Sequence, residues 1–153
     1  MAAGGLALAG VGGPRAVQWA SEARERGLVQ QMKGMGDYER LLRRRKADLF
    51  RRALGGLQAT SVAEVGVGTG VNFPYLAAAG VRSVVGVEPN ENFAPAAGEA
   101  ARNAGLELRL EGGFAEALPL PSGSVDVLVA TLVLCSVRSL AGAPAELPRA
   151  RPC

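Results

Sequence analysis

The segment Glu64-Val-Gly-Val-Gly-Thr-Gly70 sets an acid just ahead of three alternating glycines, Gly66, Gly68 and Gly70, and a second acid, Glu88, stands 22 residues beyond Gly66. Glycines in such a turn let backbone close around a nucleotide-bearing ligand that any Cβ would hold off. An acid about 20 residues further on accepts hydrogen bonds from a ribose diol in an α/β sheet. Together they point to an adenosine-containing ligand. The dinucleotide pattern G-x-G-x-x-G needs a glycine at position 71, where Val71 stands, and the phosphate-binding run GxxxxGK[ST] is absent. A mononucleoside cofactor without a pyrophosphate fits better than NAD or FAD.

Other chemistry is excluded by composition. The chain has no histidine, which removes Ser-His-Asp triads, Cys-His dyads and imidazole metal sites. Its two cysteines, Cys135 and Cys153, are too few for a zinc site, so no metal is expected. Cys135 lies in an apolar run and reads as a small buried hydrophobe, and the sparse cysteine usage suits a reducing, intracellular and cytoplasmic setting. Residues 1–13 are uncharged and too short for a transmembrane segment. The first basic residue, Arg15, follows that apolar stretch instead of preceding it, unlike a secretory signal, while the lack of an acid before Glu22 leaves organelle targeting open.

The positioning elements follow from periodicity and glycine punctuation. With 153 residues, 48% hydrophobic and 20% charged, the chain suits one compact core. Residues 1–13 read as a flexible tail, 14–56 as a helical segment, 57–137 as the ligand-binding domain and 138–153 as an irregular Pro/Ala/Arg-rich tail. Within the helical segment, one helix is expected over 14–33. A second starts at Asp37 as N-cap and ends at Leu54, with Tyr38, Leu42, Leu49 and Ala53 facing inward and Leu41 and Phe50 on the shoulders. Its other side carries Arg40, Arg43, Arg44, Arg51 and Arg52, so the net charge of +3 divides into +6 over residues 1–60 and −3 over 61–153. Without interleaved base-reading or aromatic residues this is a solvated face, and no nucleic-acid partner is expected. Strands are expected at 61–67, 83–89, 107–112 and 125–134, with helices at 73–79 and 91–104. The fold class is α/β: a Rossmann-like doubly wound sheet, mostly parallel, incomplete at about four strands and preceded by two helices.

Val62-Ala-Glu-Val-Gly-Val-Gly-Thr-Gly70 resembles the first motif of the class I S-adenosylmethionine-dependent methyltransferases, of the methyltransferase type 11 group. Val85-Gly-Val-Glu-Pro89 is similar to the strand that ends in their ribose-binding acid, Gly113-Phe-Ala-Glu-Ala-Leu-Pro-Leu-Pro121 to the loop flanking adenine, and Ser124-Val-Asp-Val-Leu-Val-Ala-Thr131 to their fourth strand. Thr131-Leu-Val-Leu-Cys-Ser-Val137, with Asn72-Phe73 and Pro89-Asn90, most resembles the alkyl-thiol methyltransferase-like branch. The resemblance implies S-adenosyl-L-methionine as cofactor, a small-molecule methyl acceptor such as a thiol, and the sheet order 3-2-1-4. It further implies that Glu64 meets the methionine end, that Gly66, Gly68 and Gly70 let the backbone approach, and that Glu88 holds the ribose. Phe114, Ala115 and Glu116 would border adenine, and Thr131 and Leu132 would line the pocket at the end of the fourth strand. Plainer roles stand beside these: an arginine partner for Glu64, a helix cap for Glu88, core packing for Phe114. Asp126 reads as structural. No catalytic residue is assigned, because methyl transfer from a sulfonium asks the protein mainly to position a nucleophile.

The resemblance stops near Val137, whereas the family fold has seven strands, so the chain reads as truncated after the fourth. The strand at 125–134 would then be an exposed edge suited to self-association. Two other readings accompany the methyltransferase: a non-catalytic cofactor-binding or interaction module, and an NAD(P)-dependent Rossmann enzyme.

Overall fold

A computed structural model describes residues 26–32, 34, 36–56, 61–137, 147 and 150. Helix α1 (26–32) and helix α2 (Gly36–Leu54) precede β1 (Val62–Val65), α3 (Phe73–Ala78), β2 (Ser83–Val87), a 3-10 turn (Glu91–Phe93), α4 (Ala94–Ala104), β3 (Glu107–Glu111) and β4 (Val127–Ala130). The expected part of the first helix before residue 26 and most of the 138–153 tail lie outside the described residues. The four strands form one wholly parallel sheet in the order β3-β2-β1-β4.

Central strand β1 is buried on both faces, as expected for a parallel sheet covered on either side. Val62 turns toward a core of Phe50, Leu54, Phe73, Leu76, Val84 and Ala101 beneath the helices. Ala63 and Val65 turn toward Val87, Ala115, Leu118, Leu120, Val125 and Ala150 on the other face. Complete burial of Phe73 and Leu76 contributes about 1.5–3 kcal/mol each. Asp126 is the structural acid expected: its Oδ2 accepts from the Ser61 N–H at 2.8 Å and the Ser61 hydroxyl at 3.0 Å, clipping the start of β4 to the start of β1. Ala150 is fully buried, and its carbonyl accepts the Val125 N–H at 3.0 Å.

Two expectations are corrected. Helix α2 is rotated from the face its apolar residues alone suggest: Leu41 is 76% and Leu49 53% exposed and Ala53 is exposed, while Lys46, Phe50 and Leu54 are buried and Leu42 half-buried. The inward row therefore runs every fourth residue through a lysine. Phe50 stacks on Tyr75 of α3 with ring centroids 5.6 Å apart, and Glu39 neutralises the Lys46 ammonium at 2.7 Å, so a charged residue is carried inward with its counter-ion. The Tyr38 side chain lies outside the described residues. Cys135 is exposed and not buried: β4 ends at Ala130, and the chain then turns, with the Cys135 thiol donating to the Leu132 carbonyl at 3.0 Å.

Candidate cofactor site

Strands β1 and β4 lie side by side, yet the chain leaves β1 toward β2 and reaches β4 from β3, so their carboxyl ends flank a topological switch point, where open α/β sheets bind ligands. The glycine turn begins there. The Gly66 N–H donates to the Val87 carbonyl at 2.8 Å, which joins the turn to the end of β2. Gly66 has φ +70° and Gly70 φ +76°, both in the left-handed region. A Cβ on Gly66 would stand 2.6 Å from Val133 Cγ2, and one on Gly70 2.7 Å from the Phe73 ring and 2.9 Å from Ala100. These two glycines are thus required by the protein's own packing. Gly68 is crowded by α1, since its Cβ would come within 3.1 Å of the Met32 methyl.

Glu88, just beyond β2, is locked to that turn. Its Oε2 accepts the Gly68 N–H at 2.9 Å and its Oε1 the Asn90 N–H at 3.1 Å. It does not cap the following helical turn; Asn90 does, accepting from the Asn92 N–H. A carboxylate has about four acceptor positions, so two remain for a diol.

Two cavities open at this point. One, of about 250 Å³, is bounded by Gly66, Gly68 and Glu88 on the sheet side, by Phe114, Ala115 and Glu116 on the following loop, and by Leu28 and Met32 from α1. The other, of about 240 Å³, lies between α2 and the ends of β1 and β4, lined by Glu39, Lys46, Thr69, Asn72, Thr131 and Leu132 among others. Met32, Gly66 and Leu132 line both. Leu132 is non-glycine yet has φ +56° and is 64% exposed, a backbone conformation that clusters at ligand sites. A larger cavity, about 350 Å³, lies between α2 and α3 and holds none of the ten candidate site residues.

Glu64 lines neither cavity; it is buried beneath Asn72. The Asn72 amide nitrogen donates to Glu64 Oε1 at 2.5 Å and to the Thr131 hydroxyl at 2.6 Å, bridging β1 to the end of β4. Glu64 Oε2 and Asn72 Oδ1 are buried acceptors without a hydrogen-bond partner. Burial pushes the Glu64 carboxyl up to about 7, against the opposing pull of the Asn72 bond and the Lys46 charge.

Eight of the ten residues singled out from the sequence, all but Glu64 and Gly70, therefore line one of two adjoining cavities. Sequence reasoning missed Met32, Glu39, Lys46, Thr69 and Asn72. For Lys46 the signal was its place in the four-residue row Leu42, Lys46, Phe50, Leu54.

Residues 63–151 match the methyltransferase domain family. The chain belongs to this family. Comparison with curated proteins found no match. Among solved structures, the chain is similar to the YcgJ protein of Bacillus subtilis, with 22% identity and TM-score 0.62 over 71% of this chain and 46% of that one. It is also similar to an S-adenosylmethionine-dependent methyltransferase of Thermotoga maritima, with 26% identity and TM-score 0.60 over 82% and 54%. A Methanococcus maripaludis protein assigned to the same methyltransferases shares the fold at 15% identity and TM-score 0.70, over 82% and 58%. The chain thus spans about half the length of these structures. The family's cofactor is S-adenosyl-L-methionine, and the site suits it: Glu88 keeps acceptor capacity for a ribose, and the Phe114 loop offers an apolar wall.

Proposed function

We propose that the chain binds S-adenosyl-L-methionine across the two cavities and transfers its methyl group to a small-molecule acceptor, a thiol being the class to try first. Bound there, the cofactor supplies a methyl group on a positively charged sulfur, so the protein need only present a nucleophile. The observation that carries this reading is the pairing of Glu88 with the Gly68 N–H at the mouth of the crevice. Glu88 holds the ribose. Gly66 and Gly68 form the crevice floor, Phe114, Ala115 and Glu116 form the adenine side, and Thr131 and Leu132 close the far side. Glu64 acts through Asn72, and Gly70 serves by shaping the turn. The exposed Cys135 thiol supports a reducing, intracellular setting, and no helix of the described residues is long and apolar enough to cross a membrane. The test is transfer of labelled methyl to short alkyl thiols by the wild-type chain and by Glu88→Ala. Transfer lost in the variant is expected, and cofactor binding without turnover on any small nucleophile would argue for a non-catalytic module.

A second reading rests on β4. It is an edge of the sheet, paired only with β1 among the described residues, and Leu132 and Leu134 just beyond it are exposed. Unpaired strand edges recruit further strands, so self-association along β4 is the interaction this surface favours.

A further inference from the structure

The cavity of about 350 Å³ between α2 and α3 has the size of a small-molecule site, and its two walls differ in kind. Helix α2 contributes Glu39, Arg40 and Arg43, and the chain entering α3 contributes Val71, Pro74 and Tyr75. Glu39 has both carboxylate oxygens committed within the protein: Oε2 accepts from the Lys46 ammonium at 2.7 Å and Oε1 from the Tyr75 hydroxyl at 2.9 Å. Burial and that bond to Glu39 push the Tyr75 hydroxyl up to about 12, so it stays protonated and adds no charge. Arg40 faces Asp37 at 3.5 Å with both side chains largely exposed, a pair that water screens. Arg43 has no ion pair among the described residues. One wall therefore carries an uncompensated guanidinium, with a second three residues away on the same helical face, and the other wall is apolar. Gly36, Glu39 and Val71 also line the cavity of about 240 Å³ at the ends of β1 and β4, so an occupant here is the neighbour of whatever fills that one.

We propose that this cavity receives the methyl acceptor and selects a carboxylate-bearing one, whose anionic group meets Arg43, with Arg40 beside it, while its apolar body lies against Val71, Pro74 and the Tyr75 ring. A single unpaired guanidinium matches a monoanion, and its planar fork matches the two oxygens of a carboxylate. The assignment rests on the cofactor reading above, which makes the adjoining cavity part of the cofactor site. An arginine row that reads as solvated from its sequence then sets the charge of the substrate through Arg43.

The test titrates 3-phenylpropionate and its neutral counterpart 3-phenylpropan-1-ol into the full chain in the presence of S-adenosylhomocysteine, with binding read by ligand-observed NMR. Wild type is compared with Arg43→Gln, Arg40→Gln and, as a control for long-range charge, Arg44→Gln, an exposed position on α2 outside this cavity. Wild type is expected to bind the carboxylate about five-fold or more tightly than the alcohol. Arg43→Gln should abolish that preference and leave the alcohol within about two-fold, which also reports an intact fold; Arg40→Gln should reduce the preference, and Arg44→Gln should keep it. A wild type without preference, a preference that survives Arg43→Gln, or an equal loss in Arg44→Gln would overturn the proposal. Methyl transfer to 3-mercaptopropionate and to neutral 3-mercaptopropan-1-ol gives the second readout: Arg43→Gln should raise KM for the carboxylate with kcat little changed and leave the alcohol unaffected. A wild type that selects the carboxylate in binding yet methylates the neutral thiol better would overturn the acceptor role. Failure of the cofactor reading shows separately, as calorimetry in which wild type binds no S-adenosylhomocysteine.

Discussion

Glu64 carries its carboxyl in a place where ionisation is costly, and the consequence is measurable. Its pKa in the folded chain is raised from the ordinary 4.5 to about 7, so between those values the folded state holds a proton that the unfolded state has released. Glu64 therefore contributes stability that is complete below about pH 4.5 and is lost as pH rises through about 7, on the order of 3 kcal/mol in all. Denaturant titrations from about pH 5 to 8 should show wild type losing stability relative to Glu64→Gln, and parallel curves would contradict the assignment. Gly70 makes a different demand. Gly70→Ala forces a Cβ into a left-handed conformation against Phe73 and Ala100, and a loss of about 2–4 kcal/mol is expected in the same titrations.

Helix α2 is the element on which the second cavity depends. Its hold on the sheet passes through Phe50, buried and stacked on Tyr75, so Phe50→Ala should cost about 3–5 kcal/mol. It should also weaken S-adenosyl-L-methionine binding, since Glu39 and Lys46, which line that cavity, move with the helix. Loss of stability with binding intact would mean that α2 does not shape the cavity. The same helix marks the limit of what the sequence reveals. The glycine turn, the strands and Glu88 were legible because each is written in short-range spacing (alternating glycines, apolar runs, an acid at a fixed offset), whereas the strand order followed only from the family resemblance. The inward face of α2 was not legible, because hydrophobicity alone excludes a lysine from it, and Lys46 is buried only with Glu39, two turns earlier on the same helix and itself held by Tyr75 of α3. Asn72 was likewise hidden, as its two partners lie 8 and 59 residues away. The exposure of Cys135 was hidden because the residue lies in an apolar run just past an expected strand at 125–134, whereas β4 ends at Ala130 and the chain turns outward.

At the scale of the whole molecule, a four-stranded parallel sheet with β1 at its centre gathers residues from both ends of the described chain into one crevice, with α1 and α2 closing it from the side. Edge strand β4 borders that crevice, so association along it would act close to the ligand. Sedimentation velocity should show concentration-dependent self-association that weakens in Leu134→Glu, and a concentration-independent monomer would remove the edge as an interaction surface. The central claim is that this crevice recognises S-adenosyl-L-methionine through Glu88 and the glycine turn. The most direct measurement is calorimetric binding of that cofactor to the full chain, to Glu88→Ala and to Gly68→Arg, with NAD as the control ligand. Saturable binding by wild type, lost or strongly weakened in both variants and absent for NAD, is the predicted result. A folded wild-type chain that binds no cofactor, or binds NAD equally well, would contradict it.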